Sequence, residues 1–327
     1  MSEAYTIDIH LGPADLEAAL RRDVLQGLTD SPKHLSPKWH YDARGSALFD
    51  AITRLPEYYL TRCERAILDA HAGEIALAAE ADTLIELGSG TSAKTRLLLS
   101  AMSSAGTLER FVPFDVDEAT LRSAASAIAD EYPGIRVHAV VGDFERHLPM
   151  LPAGGTRMAA FLGSTIGNLA PAVRAQFLRD LGAVLAPGDM LLLGVDFVKS
   201  PERILAAYDD AGGVTAAFSR NILRVVNDRL GADFDPEAFD HVPRWNAADE
   251  WVDIRLRART ALTVRIPQLD LRVAFADGEE MHTEIAAKFR RDRLSKELGR
   301  AGLEVRRWWT DPADGFGVAL SFRTEDG

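Results

Sequence analysis

The sequence predicts an α/β fold in which a doubly wound, Rossmann-like parallel sheet ends in an antiparallel hairpin and carries an inserted α+β segment. Three observations predict this fold. Between residues 83 and 195, short and nearly continuous apolar strands alternate with stretches of helical periodicity. The alternation stops over residues 199–288. Two further strands, joined by a turn-rich segment, follow near the C-terminal end.

The residues before this alternation have a different character. Apolar residues at helical spacing predict a helix over 15–29. Residues 31–59 contain three Pro, three Tyr and Trp39 with little periodicity, which predicts a loop. Thr61 is placed to cap a helix that runs to about Ala79.

The elements of the alternating region and of the C-terminal part follow from their apolar patterns. Parallel strands are predicted at 83–87, 111–116, 136–141, 158–162 and 190–195. The inserted segment is predicted to contain helices 201–208 and 214–230 and strands 251–266 and 269–275. A helix at 292–301 and strands 303–309 and 316–322 complete the chain. A hairpin that closes a parallel sheet is typical of methyltransferases that use S-adenosylmethionine.

Length, charge and cysteine content narrow the functional classes. At 327 residues the chain exceeds the roughly 250–300 residues that one core supports, so one elaborated domain or two domains are expected. The net charge is 37 − 49 = −12, which disfavours a nucleic-acid partner. No signal-like or membrane-length apolar segment is present in the sequence, so a cytoplasmic protein is expected. Cys63 is the only cysteine and the eight His show no ligand spacing, so no metal is expected.

A glycine-rich loop is predicted after the first parallel strand. It has the sequence ELGSGTS (86–92) and precedes a helix predicted to start near Ala93. Gly88 and Gly90 allow the backbone to approach a bulky ligand, and the helix supplies unpaired N–H groups. A dinucleotide loop would need the third glycine of G-x-G-x-x-G, which this loop lacks. The pattern favours a nucleoside without phosphates, although G-x-G alone also fits a structural turn.

Acidic residues end the next two predicted strands, at the edge where open α/β sheets bind ligands. Asp115 can accept both hydroxyls of a ribose. Asp143 can accept the adenine amino group, while Phe144 contacts the ring. Either carboxylate alone would also fit a solvated loop or a helix N-cap. Together with the glycine-rich loop, they predict a nucleoside site.

The fourth predicted strand leads into the segment LGSTIGN (162–168). Methyltransferases that modify amino groups of nucleic acids carry an Asn/Asp-Pro-Pro-aromatic tetrad at this place, and it is absent from the segment. Small residues leave room for a small molecule. Asn168 can donate to a carboxylate and accept from an amine, although it also fits a turn.

At this point the sequence resembles a known family, the ergothioneine-pathway L-histidine Nα-methyltransferases. The resemblance covers nearly the whole chain and rests on PKWHYD (37–42), LPEYY (55–59), ELGSGTSAKTR (86–96), FLGSTIGN (161–168), AYDD (207–210), GVTA (213–216), residues 278–289 and WWTD (308–311). It implies a class I methyltransferase sheet with an inserted substrate-binding domain. It also implies S-adenosylmethionine as cofactor and hercynine, Nα,Nα,Nα-trimethylhistidine, as product.

The resemblance also implies the roles of individual residues. Those implied to hold S-adenosylmethionine, with Gly90 added as the second loop glycine, are Tyr41, Gly88, Gly90, Lys94, Asp115, Asp143 and Phe144. Those implied to hold the amino and carboxylate groups of the amino acid are Tyr58, Gly163, Asn168 and Tyr208, and Glu284 is implied to bind the imidazole. The α-ammonium must lose a proton before transfer. Tyr58 or a bridging water is the expected route, and Asn168 is the other catalytic candidate.

The chain departs from the family pattern around the expected substrate pocket. The family carries Ser at the position of Ala286, Met at Ile254, Asn at Ser219, Phe at His40 and Pro at Leu60. Three interpretations therefore stay open: methylation of histidine, methylation of another amino acid or histidine derivative, and a catalytically silent binding module of the same fold. A nicotinamide oxidoreductase is a weaker option, because the third loop glycine and a phosphate route are missing.

The expected domain organisation has four parts. Residues 1–60 form an N-terminal helix and aromatic loop that contribute to the substrate domain, and residues 61–198 form the S-adenosylmethionine-binding domain. Residues 199–288 form the substrate-binding insertion, and residues 289–327 complete the methyltransferase fold. A monomer that acts on a small amino acid, with no nucleic-acid or membrane partner, is expected.

Overall fold

The computed structural model describes residues 5–325, which divide into two compact units. Unit 1 contains the described residues up to Gly12, Arg62–Phe197, and the described residues from Phe289 onward. Unit 2 contains Pro13–Thr61 and Val198–Lys288.

The helices are numbered in chain order: α1 (Pro13–Thr29), α2 (Ala43–Ile52), α3 (Leu60–Ala79), α4 (Thr95–Ser104), α5 (Glu118–Glu131), α6 (Pro171–Val184), α7 (Pro201–Ala206), α8 (Val214–Leu230) and α9 (Arg291–Arg300). Unit 1 contains α4, α5, α6, α9 and α3 from Arg62 onward, and unit 2 contains α1, α2, α7 and α8.

The strands are numbered in the same way: β1 (Thr6–Ile9), β2 (Thr83–Leu87), β3 (Arg110–Asp115), β4 (Arg136–Val141), β5 (Arg157–Phe161), β6 (Met190–Asp196), β7 (Phe239–Asn246), β8 (Trp251–Ala258), β9 (Leu262–Ile266), β10 (Leu271–Phe275), β11 (Glu280–Ala287), β12 (Leu303–Thr310) and β13 (Phe316–Arg323).

Unit 1 is built on one eight-stranded sheet with the order β1-β4-β3-β2-β5-β6-β13-β12. The pairs from β1 to β6 are parallel, and β13 is antiparallel to both β6 and β12. Every residue of β2, β5 and β6 is buried, which explains their continuous apolar sequence. The predicted fold class, a class I methyltransferase sheet closed by an antiparallel hairpin, is confirmed.

Strand β1 is an addition that the sequence analysis did not predict. It pairs in parallel with β4, and the amide of His10 continues the ladder by donating to the carbonyl of Val141 at 2.9 Å. Because β1 has only four residues and lies at the sheet edge with most of its side chains exposed, it carries no apolar run that would mark it as a strand.

Unit 2 contains the three-stranded antiparallel sheet β11-β8-β7 and the hairpin β9-β10. Side chains of β8 alternate: Val252, Ile254 and Leu256 are buried, whereas Arg255 and Arg257 face outward and pair with acidic neighbours. An apolar core joins α1 and α8 to these strands.

Several boundaries in the sequence analysis were wrong, and strands β7 and β11 of unit 2 were not predicted. Helix α2 lies inside the predicted loop, where the Asp42 side chain caps it by accepting from Gly45 N at 2.7 Å; its short length hid the helical period. Helix α3 begins at Leu60, so Thr61 lies inside the helix and does not cap it. The strand predicted at 251–266 is two strands, because β8 and β9 pair with different partners.

Residues 5–325 lack two features, a membrane-spanning helix and a metal-binding cluster. No helix within residues 5–325 is both long and apolar enough to cross a membrane. The same residues contain no cluster of three or more His, Cys, Asp or Glu side chains that could hold a metal ion.

His40 is a buried histidine of unit 2 at one of the positions that depart from the family pattern. Its ring stacks on Phe218 with the centroids 4.9 Å apart, and its Nδ1 lies 2.9 Å from the carbonyl of Pro37, to which it donates. Burial lowers the pKa of His40 from 6.5 to about 4. The folded chain therefore holds this ring neutral over a pH range in which the unfolded chain protonates it.

We expect the free energy of unfolding to fall as the pH drops from 6.5 towards 4, because the unfolded state binds the extra proton there. The share of His40 should be about 3 kcal/mol. In His40→Phe, which keeps the stacked ring, urea unfolding at a series of pH values should show a shallower decline. The control His71→Gln, at a partly exposed position, should keep the wild-type decline. An unchanged slope in His40→Phe would contradict this account.

Candidate functional site

The carboxyl ends of β2, β3, β4 and β5 lie along one edge of the unit 1 sheet. Parallel pairing in register places Leu87 opposite Phe114 and Asp115 opposite Val141. Because parallel strands all end at the same edge, the segments that follow them are neighbours. The structure therefore brings together the predicted cofactor residues of unit 1, which are Gly88, Gly90, Lys94, Asp115, Asp143 and Phe144.

The glycine-rich loop leaves space beside its backbone. Gly88 and Gly90 have φ angles of +69° and +48°, which favour glycine. A Cβ added at either position would meet no atom of residues 5–325 within 4 Å. The buried Ser89 Oγ has no hydrogen-bond partner among the described residues. Three features therefore fit a ligand-binding loop. They are a backbone conformation that favours glycine, open space beside the loop, and a buried hydroxyl without a hydrogen-bond partner among the described residues.

Asp115 anchors this loop through its carboxylate. Its Oδ2 accepts from Gly90 N at 2.8 Å, and its Oδ1 accepts from Asp117 N at 3.1 Å. Burial raises the pKa of Asp115, so further donors would stabilise the charged form. Each carboxylate oxygen can accept a second hydrogen bond, and two adjacent hydroxyls match that capacity.

Glu86, at the start of the loop, is a buried residue of β2. Burial raises its pKa to about 7, although Thr95 donates a hydrogen bond to its carboxylate. Thr95 is the first residue of α4, so the helix begins two residues later than predicted. Glu86 therefore fixes the distance between the loop and the helix that follows it.

Asp143 and Phe144 follow β4 and are half-buried. Asp143 Oδ1 accepts from Glu145 N at 2.9 Å, and the amide of Asp143 donates to His147 Nδ1 at 3.0 Å. The Phe144 ring meets Phe161 edge-on at 5.4 Å between centroids. A fixed carboxylate beside a partly exposed aromatic ring suits a flat heterocycle that carries an amino group.

Lys94 contacts a buried carboxylate that sequence reasoning missed. Glu64, in α3, is fully buried, and its carboxylate pairs with the Lys94 ammonium. Its Oε1 also accepts from Gly163 N at 2.6 Å. A Cβ at Gly194 would lie 2.0 Å from this Oε1, so β6 needs glycine there. The glycine inside an apolar strand was the one sequence signal for this close approach.

Gly163 and Asn168 follow β5. Gly163 and Ser164 have φ angles of +79° and +58°, and a short 3-10 turn over Thr165–Asn168 comes next. Asn168 ends this turn and is half-buried. A Cβ at Gly163 would lie 3.7 Å from Lys94 Nζ, so the structure places this segment beside the Lys94–Glu64 pair.

The predicted tyrosines lie in an aromatic cluster of unit 2. The rings of Tyr58 and Tyr208 are both buried and meet edge-on with centroids 6.3 Å apart. Phe49 contacts both Tyr58 and Tyr41, and Tyr41 is 42% exposed. The cluster therefore runs from two buried phenols to one that faces solvent.

Glu284 and Ala286 lie on β11 of unit 2, where a register shift redirects the chain. His282 pairs with Arg255, but Glu284 pairs with Ile254, which leaves Thr283 as an extra residue. Residues opposite each other point to the same face, so the shift turns Glu284 to the buried face that holds Ile254. Ala286 pairs with Val252 on that face. The structure thus groups Glu284 with Ala286 and Ile254, two of the departures from the family pattern.

The Lys94–Glu64 pair gives a stability prediction for unit 1. Glu64→Ala leaves the Lys94 ammonium and the Gly163 amide without their acceptor, so the free energy of unfolding should fall by about 2 to 4 kcal/mol. Glu109→Ala, which breaks the exposed pair with Arg136, should lower it by less than about 0.5 kcal/mol. Urea unfolding of both variants makes the comparison. Equal losses of unfolding free energy in the two variants would show that the buried Glu64 pair stabilises unit 1 no more than an exposed pair does.

Comparisons with known proteins give the family. Residues 20–323 match the family described as "Histidine-specific methyltransferase, SAM-dependent". The chain is 60% identical over 305 residues to "Histidine N-alpha-methyltransferase" of Mycolicibacterium smegmatis, covering 93% of this chain and 95% of that protein. It is 57% identical over 312 residues to the protein of the same name from Mycobacterium tuberculosis, covering 95% and 97%. It is 33% identical over 235 residues to "Ergothioneine biosynthesis protein 1" of Neurospora crassa, covering 70% of this chain and 27% of that protein. The predicted resemblance is confirmed: the chain belongs to the histidine-specific, S-adenosylmethionine-dependent methyltransferase family.

Proposed function

We propose that this protein transfers methyl groups from S-adenosylmethionine to the α-amino group of L-histidine and forms Nα,Nα,Nα-trimethylhistidine, hercynine, for ergothioneine biosynthesis. The observation that carries the proposal is the family match over nearly the whole chain, together with two relatives of more than half identity that bear the histidine N-alpha-methyltransferase name.

The cofactor role is assigned to unit 1. S-adenosylmethionine supplies an electrophilic methyl group on a sulfonium. The Asp115 carboxylate accepts the two ribose hydroxyls, Asp143 and Phe144 hold the adenine, and the Lys94 ammonium pairs with the methionyl carboxylate. Gly88 and Gly90 leave the backbone open to the nucleoside. Outside unit 1, Tyr41 is the further residue proposed to contact the cofactor.

The amino-acid role is assigned to polar groups that can orient a zwitterion. Gly163 and Asn168 in unit 1, and Tyr58 and Tyr208 in unit 2, are proposed to hold its amino and carboxylate groups. Because the amine must be neutral to react, its proton leaves by way of Tyr58 or a bridging water, and the phenol passes its own proton on as it accepts this one. Positioning and exclusion of water supply most of the rate enhancement, since the methyl group passes directly from the sulfonium to the amine without a covalent enzyme intermediate.

The side chain of the substrate amino acid is proposed to lie against the face of β11 that carries Glu284 and Ala286. The Glu284 carboxylate accepts the imidazole N–H there. Ala286 offers no hydroxyl for the second ring nitrogen, which is the specific observation that keeps another amino acid or a histidine derivative as the second candidate. We also propose that the protein is a cytoplasmic monomer. It is proposed to have no nucleic-acid partner, because a net charge of −12 disfavours phosphate backbones.

Cofactor binding is expected to depend on Asp115. Asp115→Ala removes a charged acceptor of two hydrogen bonds, worth about 1.5 to 3 kcal/mol, so affinity for S-adenosylhomocysteine should fall about ten- to a hundredfold. Titration calorimetry measures it. Asp130→Ala, at an exposed carboxylate of α5, serves as control and should bind normally. Normal binding by Asp115→Ala would remove the cofactor assignment.

Histidine turnover is expected to depend on Glu284. The purified enzyme is offered a mixture of free amino acids, and mass spectrometry identifies the methylated products. Histidine should dominate, and Glu284→Ala should raise the activation free energy for histidine by about 2 to 4 kcal/mol in kcat/KM, because the ring N–H loses a charged acceptor. Ala286→Ser should leave histidine turnover unchanged or improve it.

The matched control lies on the same strand. Glu280→Ala removes a carboxylate that pairs with Arg244, at a position opposite Arg257 on the outward face, and should retain wild-type kcat/KM. If the wild-type enzyme prefers tryptophan, phenylalanine or a ring-methylated histidine to histidine, the histidine assignment is overturned and the methyltransferase assignment stands.

A further inference from the structure

Lys288 is a buried lysine in unit 2 that none of the roles above uses. It follows the last residue of β11, and the residue is only 4% exposed. Its Nζ donates to the Tyr208 hydroxyl at 2.7 Å and lies 4.7 Å from the centroid of the same ring. Burying an ammonium is unfavourable unless polar groups compensate it, and the Tyr208 hydroxyl is one group that does so.

The contact with Lys288 determines the hydrogen-bonding role of the Tyr208 hydroxyl. An ammonium can only donate, so the Tyr208 oxygen must accept from Lys288. The phenol has one proton of its own, and that proton then points away from Lys288 and can be donated to a second acceptor. A charged donor on the oxygen also polarises the O–H bond and makes it a stronger donor.

The charge also discriminates between the two ends of a zwitterion. A cation next to the Tyr208 oxygen attracts a carboxylate and repels an ammonium. The Tyr58 ring lies beside that of Tyr208, 6.3 Å between centroids, and provides a second phenol next to it.

We propose that Lys288 is a positioning residue that holds the Tyr208 hydroxyl as a donor to the α-carboxylate of the substrate and thereby restricts the enzyme to amino acids with a free carboxylate. The inference rests on the proposed function, because it assigns Tyr208 to the amino-acid substrate. It predicts that an amino acid whose carboxylate is replaced by a neutral amide is rejected through this pair.

Unit 2 contains a second pair of the same chemistry, which serves as a matched control. Lys199 Nζ donates to the Tyr59 hydroxyl at 2.9 Å and lies 4.5 Å from the centroid of that ring. Tyr59 is buried like Tyr208, but it has no assigned substrate role. Lys199→Met therefore removes an equivalent bond from another tyrosine.

The test compares kcat/KM for histidine with kcat/KM for histidinamide. Lys288→Met should lower this ratio about ten- to a hundredfold, mainly through KM for histidine, and affinity for S-adenosylhomocysteine should stay at the wild-type value. Lys199→Met should keep the wild-type ratio. In Tyr208→Phe, the added Lys288→Met change should have a much smaller effect, because the hydroxyl through which it acts is gone.

Equal losses for histidine and histidinamide in Lys288→Met would overturn the proposal, since a merely structural lysine affects both substrates alike. If Lys288→Met does not fold, Lys288→Gln keeps a donor without the charge, and the ratio should still fall; an unchanged ratio would overturn the proposal. If the wild-type enzyme does not methylate histidine, the proposed function fails on its own. The same ratio is then measured with the amino acid that it does methylate and the amide of that amino acid.

Discussion

Parallel pairing of β2 with β3 and β5 is the constraint on which the candidate site of unit 1 depends. The hydrogen-bond ladder fixes where each strand ends, and Gly90, Asp115 and Gly163 lie just at or beyond those ends. A slip of β3 by one residue would turn the Asp115 side chain to the other face of the sheet. The bond from Gly90 N to Asp115 would then be impossible. The nucleoside edge is thus a consequence of strand register, and the loop sequences refine it.

Buried charge is the second feature that organises the structure, and both units compensate it with polar contacts. In unit 1 the buried Glu64 carboxylate contacts Lys94 and the Gly163 amide, and in unit 2 the buried Lys288 ammonium contacts Tyr208. Each buried ion is matched by a polar group, as its desolvation requires. The group that it contacts is in both units one that the family resemblance assigns to a ligand. On the proposed function, Glu64 and Lys288 therefore set the direction and strength of the groups that bind the ligands.

The parts of the structure that sequence could predict are those that local pattern encodes. Apolar runs and helical spacing predicted the parallel sheet, and strand ends predicted Gly88, Asp115 and Asp143 as neighbours. Strand β1 and helix α2 were missed because neither has a long periodic pattern. Glu64 was missed for another reason: its partner Gly163 is 99 residues away, so no local signal joins them. Tyr58, Tyr208 and Glu284 came from the family resemblance, because tyrosines and acids in such positions are usually ordinary surface or packing residues.

The register shift in β11 connects the fold of unit 2 to the proposed choice of substrate. It places Glu284 on the same face as Ala286 and Ile254, neither of which offers a polar side-chain atom. On the proposed assignment, the Glu284 carboxylate contacts the substrate side chain and is best matched by a group that donates a hydrogen bond, so a ring N–H suits it and a phenyl ring does not.

Both imidazole and indole carry such an N–H, and Ala286 supplies no hydroxyl with which to recognise the second nitrogen that only imidazole has. On the proposed assignment, discrimination between the two rings therefore depends on volume, to which the branched side chain of Ile254 contributes. One methylene in a pocket is worth only about 1 to 3 kcal/mol, whereas an unmatched polar group is rejected far more strongly. On the proposed assignment, this face therefore excludes apolar side chains more sharply than it separates one N–H heterocycle from another.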